Sequence, residues 1–349
     1  MISVRHITKE YKRYKSKKGA FSGIRNIFAK DYATFKAVDD LNFNIDKGEI
    51  VGYIGPNGAG KSTSIKMLTG IITPTSGSIE INGINPQKDR KSNARQIGVV
   101  FGQKTQLWWD LPVIDSLKLL RDIYNIPIDR FNKNMCLFDD ILELTKFQDT
   151  PVRQLSLGQR VKADLAAALL HDPDILFLDE PTIGLDIVTK ERFRVFIKEI
   201  CVNNGVTILL TTHDMNDIEK LCSRMIIINN GRIGYDGSVE QVRNEYGMGR
   251  VIEVEFEHAA PDMEIPGCKL IRSEGNKCWL QFNKNDTPSS NIVTCIAEKY
   301  QIKDFAIKDP EIEEIVRSIY ISTGDKPASD NTADNTGINN TTDNSEVLK

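Results

Sequence analysis

Long apolar runs, paired cysteines and a strong charge of either sign are missing from this sequence. The longest apolar runs, 206–210 and 225–228, are far too short to cross a bilayer, and the N-terminal residues lack the apolar core of a signal peptide. The 6 cysteines contain no C-x-x-C pair, so neither a zinc site nor a disulfide framework is indicated. The net charge of -3 lacks the basic excess typical of nucleic-acid binding. We therefore expect a cytoplasmic protein with reduced thiols.

One glycine-rich stretch organises the remaining sequence. Residues 55–62 are Gly-Pro-Asn-Gly-Ala-Gly-Lys-Ser, which matches G-x-x-x-x-G-K-[ST] between an apolar strand pattern and a helical pattern. Glycines allow backbone N–H groups to converge on phosphate oxygens, and the following helix adds the positive end of its dipole. Lys61 adds an ammonium group, and Ser62 can ligate Mg²⁺. The stretch therefore predicts a nucleoside triphosphate site.

Two carboxylates, Asp179 and Glu180, end a second apolar strand pattern at 175–180. Beside a phosphate-binding loop, the first carboxylate suits Mg²⁺ held through water. The second suits a general base that orients water for in-line displacement. The long interval between Lys61 and Asp179 leaves room for a helical subdomain at about 104–170.

A further phosphate-binding element is predicted at 155–160, where Leu-Ser-Leu-Gly-Gln-Arg precedes a helical pattern. Ser156 can cap this helix, and the free N–H groups of its first turn would face outward. Two anion sites and one nucleotide per chain suggest that each site serves the ATP of a different subunit. The simpler interpretation, in which Ser156 is only a helix cap, is left open at this point.

The order of these motifs resembles that of the ATPase subunit of an ATP-binding cassette (ABC) transporter, over about residues 1–245. The matching motifs are the glycine loop (Gly55 to Ser62), the glutamine loop (Gln103), the Leu-Ser-x-Gly-Gln signature (Leu155 to Gln159), the Asp-Glu strand end (Asp179, Glu180), the Leu-Asp loop (Leu185, Asp186) and the switch histidine (His213). The resemblance implies an α/β fold, a P-loop NTPase ABC cassette with an α/β core, an antiparallel β-subdomain and a helical subdomain.

The resemblance also implies a role for each matching residue. Lys61 would contact the β- and γ-phosphates, Glu180 would be the general base, and His213 would contact the γ-phosphate. Gln103 would join these catalytic residues and would ligate Mg²⁺ together with Ser62 and Asp179. The residues expected to enclose ATP are Gly55, Pro56, Asn57, Gly58, Ala59, Gly60, Lys61, Ser62 and Thr63 of one cassette and Ser156, Gly158 and Gln159 of the other, with Asp186 at the dimer interface.

The adenine-stacking aromatic residue is expected to be Tyr11. It lies unusually far from the glycine loop in sequence because of an insertion whose first part is the basic segment 9–18. Tyr14 and Phe35 are the alternatives. Past the basic segment, helical spacing predicts either an insertion packed on its own domain or an amphipathic helix on an anionic membrane surface. The apolar residues with this spacing are Phe21, Ile24, Ile27 and Phe28. The signature also departs from the family, since Leu157 stands where glycine is usual, but we expect activity to persist.

Trp108 and Trp109 follow the glutamine loop, and they would suit either a groove for a permease helix or the core of the helical subdomain. This stretch, the single cassette and the C-terminal domain resemble ATPases of the ABC-2 export group, including daunorubicin-resistance-type exporters. The resemblance implies ATP and Mg²⁺ as cofactors, an ABC-2-type membrane permease and a second copy or paralogous ATPase as partners, and no nucleic acid. The expected location is the cytoplasmic face of the cell membrane.

Two other functions compete with this interpretation. One is a soluble ABC ATPase associated with ribosomes, DNA or cofactor assembly, and the other is a nucleotide sensor without turnover. The relatives that act on ribosomes usually carry two cassettes, whereas this sequence contains one glycine loop.

Three segments are expected along the chain. The first is the cassette, 1–245, which begins with an edge strand at about 1–11. The second is a small α+β domain at 250–322, for which the pattern suggests a ferredoxin-like sandwich. The third is a polar tail at 323–349, whose composition predicts disorder.

Overall fold

The computed structural model describes residues 1–14, 32–102, 104–246, 249–261, 263–283, 286–309 and 311–322. Its strands are β1 (Ile2–Tyr14), β2 (Tyr32–Ile45), β3 (Ile50–Ile54), β4 (Ser76–Ile81), β5 (Ile97–Phe101), β6 (Ile175–Asp179), β7 (Thr207–Thr211), β8 (Arg224–Asn229), β9 (Arg232–Ser238), β10 (Arg250–Phe256), β11 (Cys268–Glu274), β12 (Lys277–Phe282) and β13 (Ile302–Lys308). Its helices are α1 (Lys61–Leu68), α2 (Arg90–Gln96), α3 (Val113–Tyr124), α4 (Ile128–Leu142), α5 (Leu157–Leu169), α6 (Ile187–Asn204), α7 (Met215–Leu221), α8 (Val239–Tyr246), α9 (Ser289–Lys299) and α10 (Ile312–Ser322). None of these described helices has both the length and the hydropathy needed to cross a bilayer. The apolar pattern at 21–28 and the polar tail lie outside the described residues.

The central sheet has six strands in the order β5-β6-β7-β3-β8-β9. The first five run parallel, and β9 pairs antiparallel with β8. Strands β3 and β7 are buried at every residue, as is usual for parallel strands covered on both faces. The carboxyl ends of β3, β5, β6 and β7 therefore meet at one edge of this sheet.

A second, antiparallel sheet has the order β2-β1-β4. Ile2 of β1 pairs with Ile45 on one side and with Ile81 on the other. The prediction of an edge strand at 1–11 is therefore wrong, because β4, far away in sequence, covers the second side of β1. The apolar face of this sheet, including Val4 and Leu41, packs in one core with Tyr53 of β3.

Helices α3, α4 and α5 occupy the interval in which a helical subdomain is predicted. Helix α5 contacts α3, α4 and β5, and its small residues Ala163, Ala166 and Ala167 are buried. Small side chains at these positions permit the close approach of neighbouring elements. Helix α5 therefore connects the helical layer to the edge of the central sheet.

The C-terminal strands form a four-stranded antiparallel sheet in the order β11-β12-β10-β13, whose buried residues pack with Ile292 and Ile296 of α9. The ferredoxin-like arrangement is wrong, since the described residues between β10 and β11 contain no helix. Helix α10 packs elsewhere: Ile315 and Ile319 are buried in the cassette core, where α10 contacts α7, α8 and β9. The domain boundaries drawn from the sequence stay a prediction.

Candidate functional site

Most of the predicted catalytic residues follow the carboxyl ends of neighbouring strands. Strand β3 leads into the glycine loop, β6 ends at Asp179, and β7 is followed by Thr212 and His213. Strand β5 is followed by Gly102 and then by Gln103, which lies outside the described residues. The topology thus brings motifs that are far apart in sequence to one edge of the central sheet.

The glycine loop is shaped by close approaches of backbone that exclude a side chain. A Cβ at Gly55 would lie 2.4 Å from the carbonyl oxygen of Ile228, and one at Gly60 would lie 2.4 Å from that of Ala37. Gly60 also has a φ of 105°, which favours glycine. Helix α1 begins directly after it, so the N–H groups of its first turn are directed at the loop. This backbone fits a polyphosphate.

Lys61 supplies the cation of the loop. Its Nζ donates a hydrogen bond to the carbonyl oxygen of Gly55 and another, at 3.2 Å, to that of Pro56. The side chain is only 7% exposed. Burial lowers the pKa of Lys61 below its ordinary value, while the charges of Glu180 and Asp179 oppose this shift. A buried ammonium between loop carbonyls and two carboxylates is suited to bind phosphate oxygens.

Asp179 connects the strand end to the start of α1. Its Oδ2 accepts a hydrogen bond from Ser62 Oγ at 3.3 Å, and its Oδ1 accepts one from Thr211 Oγ1 at 2.6 Å. Hydroxyl and carboxylate oxygens are the ligands that Mg²⁺ prefers, so this pair of residues fits the predicted metal site. Thr211 orients the carboxylate and was not identified from the sequence.

Glu180 has an unusual backbone conformation beside His213. Its φ is 56°, which is uncommon for a residue other than glycine. Its N–H donates to the carbonyl oxygen of Thr211 at 3.0 Å, and its Oε1 lies 2.9 Å from His213 Nε2. A Cβ at Gly102 would lie 2.8 Å from the carbonyl oxygens of both Asp179 and Glu180. Tight packing therefore holds this turn, and the Glu180 carboxylate stays partly exposed beside the imidazole.

A buried carboxylate that the sequence analysis missed ties together the loops carrying these two residues. Asp217 of α7 is fully buried, and its Oδ2 accepts hydrogen bonds from Thr182 Oγ1 at 2.6 Å and Thr212 Oγ1 at 3.2 Å. Its Oδ1 accepts from Arg194 Nε at 2.7 Å. Thr182 follows Glu180 closely in sequence, and Thr212 directly precedes His213.

The sequence contains only a weak signal for this anchor. Asp217 shares one face of α7 with the buried residues Ile218 and Leu221, and a carboxylate on an apolar helix face requires a partner. The partner, Arg194, lies on α6, and only the tertiary structure identifies it.

The signature residues form a capping box at the start of α5. Ser156 Oγ accepts from the backbone N–H of Gln159 at 3.2 Å, and Gln159 Oε1 accepts from that of Ser156 at 2.9 Å. Ser156 is therefore a helix cap, as in the simpler interpretation, and its phosphate role stays a prediction. Among the described residues, no hydrogen bond or ion pair joins 156–159 to 55–63 of the same chain.

Leu157 and Asp186 belong to the same surface. Leu157 is 42% exposed, and its Cδ2 lies 2.2 Å from the position that a Cβ on Gly184 would take. Asp186 caps α6 by accepting hydrogen bonds from the backbone and hydroxyl of Thr189, which lower the pKa of Asp186. Leu157 therefore contacts the segment that leads to Asp186, and it occupies space that glycine would leave open.

The candidate adenine-stacking residues lie on the hairpin of β1 and β2. Tyr11 and Phe35 are directly opposite each other in the register, and both are exposed. Opposite residues in an antiparallel pair project on the same face. Tyr14 pairs with Tyr32 at the end of the same hairpin. The expected role of Tyr11 therefore stays a prediction, with Phe35 beside it.

Helix α10 borders the glycine loop, which the sequence analysis did not foresee. A cavity of about 420 Å³ is lined by Pro56 and His213 on one side and by Glu313 and Arg317 of α10 on the other. The C-terminal helix thus lies against the nucleotide loop and the histidine.

Comparisons with known proteins agree with this geometry. The family model described as ABC transporter matches residues 38–183. BcrA, a bacitracin transport ATP-binding protein of Bacillus licheniformis, is 37% identical over 80% of this chain and 79% of its own length. YbhF, a probable multidrug ABC transporter ATP-binding protein of Escherichia coli K12, is 35% identical over 74% of this chain. The chain spans only 42% of the length of YbhF.

A solved structure shows the same fold. The dimeric ATP-binding cassette MJ0796, in a post-hydrolysis state bound to ADP and Pi, superposes with a TM-score of 0.58 at 27% identity. The match covers 68% of this chain and 99% of that cassette. The fold class predicted from the motifs, an α/β cassette with a P-loop, is confirmed.

Proposed function

The chain belongs to the ABC transporter family, and on that premise we propose that it is the ATP-hydrolysing subunit of an exporter. Two cassettes close around two MgATP and drive a substrate out through a separate membrane permease, and hydrolysis reopens them. The arrangement of Glu180, His213 and Asp179 beside the glycine loop carries this proposal. A sensor without turnover would not require a carboxylate held beside an imidazole at this position.

The residues divide the chemistry among themselves. Lys61 and the N–H groups of 58–63 bind the β- and γ-phosphates, and Glu180 takes the proton of the attacking water. His213, within hydrogen-bond distance of Glu180, orients that carboxylate and contacts the γ-phosphate. Ser62 and Asp179, together with Gln103, would hold Mg²⁺. When bound, this ion neutralises charge that develops on the phosphate oxygens.

A second cassette completes the site. Ser156 and Gly158 of that cassette cover the γ-phosphate, and the N–H groups in the first turn of α5 donate hydrogen bonds to it. Exposed apolar side chains around Asp186 support an interface on this face, because such patches are usually buried in complexes. They are Leu157, Ile183, Ile187 and Val188.

The proposed membrane partner is an ABC-2-type permease, at the cytoplasmic face of the cell membrane. Trp108 and Trp109 are 40% and 49% exposed, so they do not form the core of the helical subdomain. Aromatic side chains of this kind are common anchors of protein interfaces. The names of the relatives BcrA and YbhF, which refer to bacitracin transport and probable multidrug transport, favour export.

The variant Glu180→Gln tests the assignment. We expect ATP binding to persist, steady-state phosphate release to fall by about 10²–10⁴-fold as for loss of a general base, and a nucleotide-bound dimer to accumulate in size-exclusion chromatography. The control is Glu199→Gln on the exposed face of α6, which should leave phosphate release unchanged. Turnover in Glu180→Gln at the wild-type rate would refute the role of Glu180.

A further inference from the structure

We propose that Asp164 is a positioning residue that fastens the segment after the glutamine loop to the signature helix, so that the two move as one body. The inference rests on the proposed function and deepens it. It concerns how the aromatic surface at Trp108 and Trp109 is connected to Ser156 within one cassette.

The contacts of Asp164 carry the proposal. Asp164 lies on α5 and is only 5% exposed. Its Oδ1 accepts a hydrogen bond from Thr105 Oγ1 at 2.7 Å and another from the backbone N–H of Gln106 at 3.1 Å. Gln106 Nε2 returns a hydrogen bond to the carbonyl oxygen of Asp164 at 3.1 Å. We name these three residues, Asp164, Thr105 and Gln106, the Asp164 clasp.

A second side chain of α5 holds the same segment. The guanidinium of Arg160 lies 4.6 Å from the ring centre of Trp109, which is within the range of a cation–π contact. Arg160 precedes Asp164 by one helical turn, so both side chains project on the same side of α5. Residues 105–109 are therefore attached to α5 at both ends.

The position of the Asp164 clasp connects two parts of the proposed site. Towards the N-terminus of α5, Ser156 lies about 12 Å from Asp164 along the helix axis, at ~1.5 Å per residue. On the other side, Thr105 lies close in sequence to Gln103, the expected Mg²⁺ ligand. Because a helix moves as a rigid element, a shift of residues 105–109 displaces Ser156. Conversely, closure of the two cassettes on ATP displaces residues 105–109.

Burying a carboxylate at this place costs free energy unless hydrogen bonds compensate for the lost hydration. Burial raises the pKa of Asp164 to about 6, while the hydrogen bonds from Thr105 and Gln106 oppose the shift. Arg160 is the cation whose charge acts on it. An apolar residue would pack here without desolvating a charge, so the polar contacts to the segment account for the residue type.

Three variants separate positioning from simple stability. Asp164→Ala removes the acceptor, and Thr105→Val removes one of the two donors to it. Asp164→Asn keeps Oδ1 as an acceptor and should preserve the geometry. The matched control is Asp139→Ala on α4, since Asp139 also accepts hydrogen bonds from a threonine hydroxyl and backbone N–H, both of Thr145.

The first readout is the division between ATP affinity and turnover in the full chain. In Asp164→Ala we expect an ATP Kd within about twofold of wild type, because the glycine loop is untouched, and a kcat lower by about 10–100-fold, as for a small misplacement of catalytic groups. Thr105→Val should lower kcat by about threefold. Asp164→Asn and Asp139→Ala should stay within about threefold of wild type.

The second readout does not require turnover. In a Trp279→Phe background, the emission of Trp108 and Trp109 should change when MgATP is added, and Asp164→Ala should abolish this change while Asp164→Asn retains it. The proposal is overturned if MgATP does not change the emission in the Trp279→Phe background. It is also overturned if Asp164→Ala keeps the full emission change or the wild-type kcat. A wild-type chain that responds to MgATP without releasing phosphate would instead refute the proposed function.

Discussion

Asp217→Ala should both destabilise the chain and loosen the loops that carry Glu180 and His213. Removing one partner of a buried ion pair costs about 3–5 kcal/mol. Arg194 keeps two other carboxylates, Glu191 at 2.9 Å and Asp214 at 3.7 Å, so the cost of losing the ion pair should lie near the lower limit of this range. Thr182 is buried and loses its acceptor, which adds about 1 kcal/mol. The expected loss in the free energy of unfolding is therefore about 4 kcal/mol.

The assay is urea unfolding of the full chain without nucleotide, together with phosphate release under conditions in which the variant is folded. We expect kcat to fall by about tenfold or more, because the base and the histidine lose their common anchor. The double variant Arg194→Met/Asp217→Leu should recover part of the lost stability, since it leaves no charge buried without a partner.

Asp236→Ala is the matched control. Asp236 forms a two-point ion pair with Arg224, at 2.7 and 2.9 Å, that is more exposed than the pair of Asp217 and lies away from the nucleotide loop. Its loss should cost at most about 1 kcal/mol and leave kcat unchanged. If Asp217→Ala costs no more stability than Asp236→Ala, or if its kcat equals that of wild type, Asp217 does not anchor the loops that carry Glu180 and His213.

Two further predictions concern the burial of Asp164 and the contact between Gly184 and Leu157, which the sequence did not show. The pKa of Asp164 in the folded chain, about 6, is above its ordinary value, so the protonated carboxyl stabilises the fold at low pH and this contribution is lost as pH rises through 6. Between pH 4 and 7 the free energy of unfolding of wild type should fall by about 2 kcal/mol relative to Asp164→Asn, and a difference in urea midpoints that does not vary with pH would contradict this. Gly184→Ala should destabilise wild type more than it destabilises Leu157→Gly, by at least about 0.5 kcal/mol in a double-mutant cycle, because the added Cβ meets the Leu157 side chain. Additive effects would show that the two positions do not touch.

The family and the fold class could be predicted from the sequence because their signals are local. The glycine loop needs residues that can adopt a positive φ and that leave room for a neighbouring backbone segment. Gly60 meets both requirements. The capping box of Ser156 and Gln159 needs only neighbours on one helix turn. The roles assigned to Gln103 and His213 follow from the resemblance, whereas the role of Glu180 as a general base also follows from its place beside the glycine loop. All three stay predictions for this chain.

Tertiary structure alone decided which distant residues meet. The sequence by itself determined the motifs, their order and the strand ends on which they lie, because these depend on neighbours along the chain. It did not show that β4 covers β1, that α10 enters the cassette core, or that Asp217 and Asp164 have partners on other elements. Those contacts join segments that only the packing of the sheets and helices brings together, and a buried carboxylate is chemically meaningful only once its partners are known.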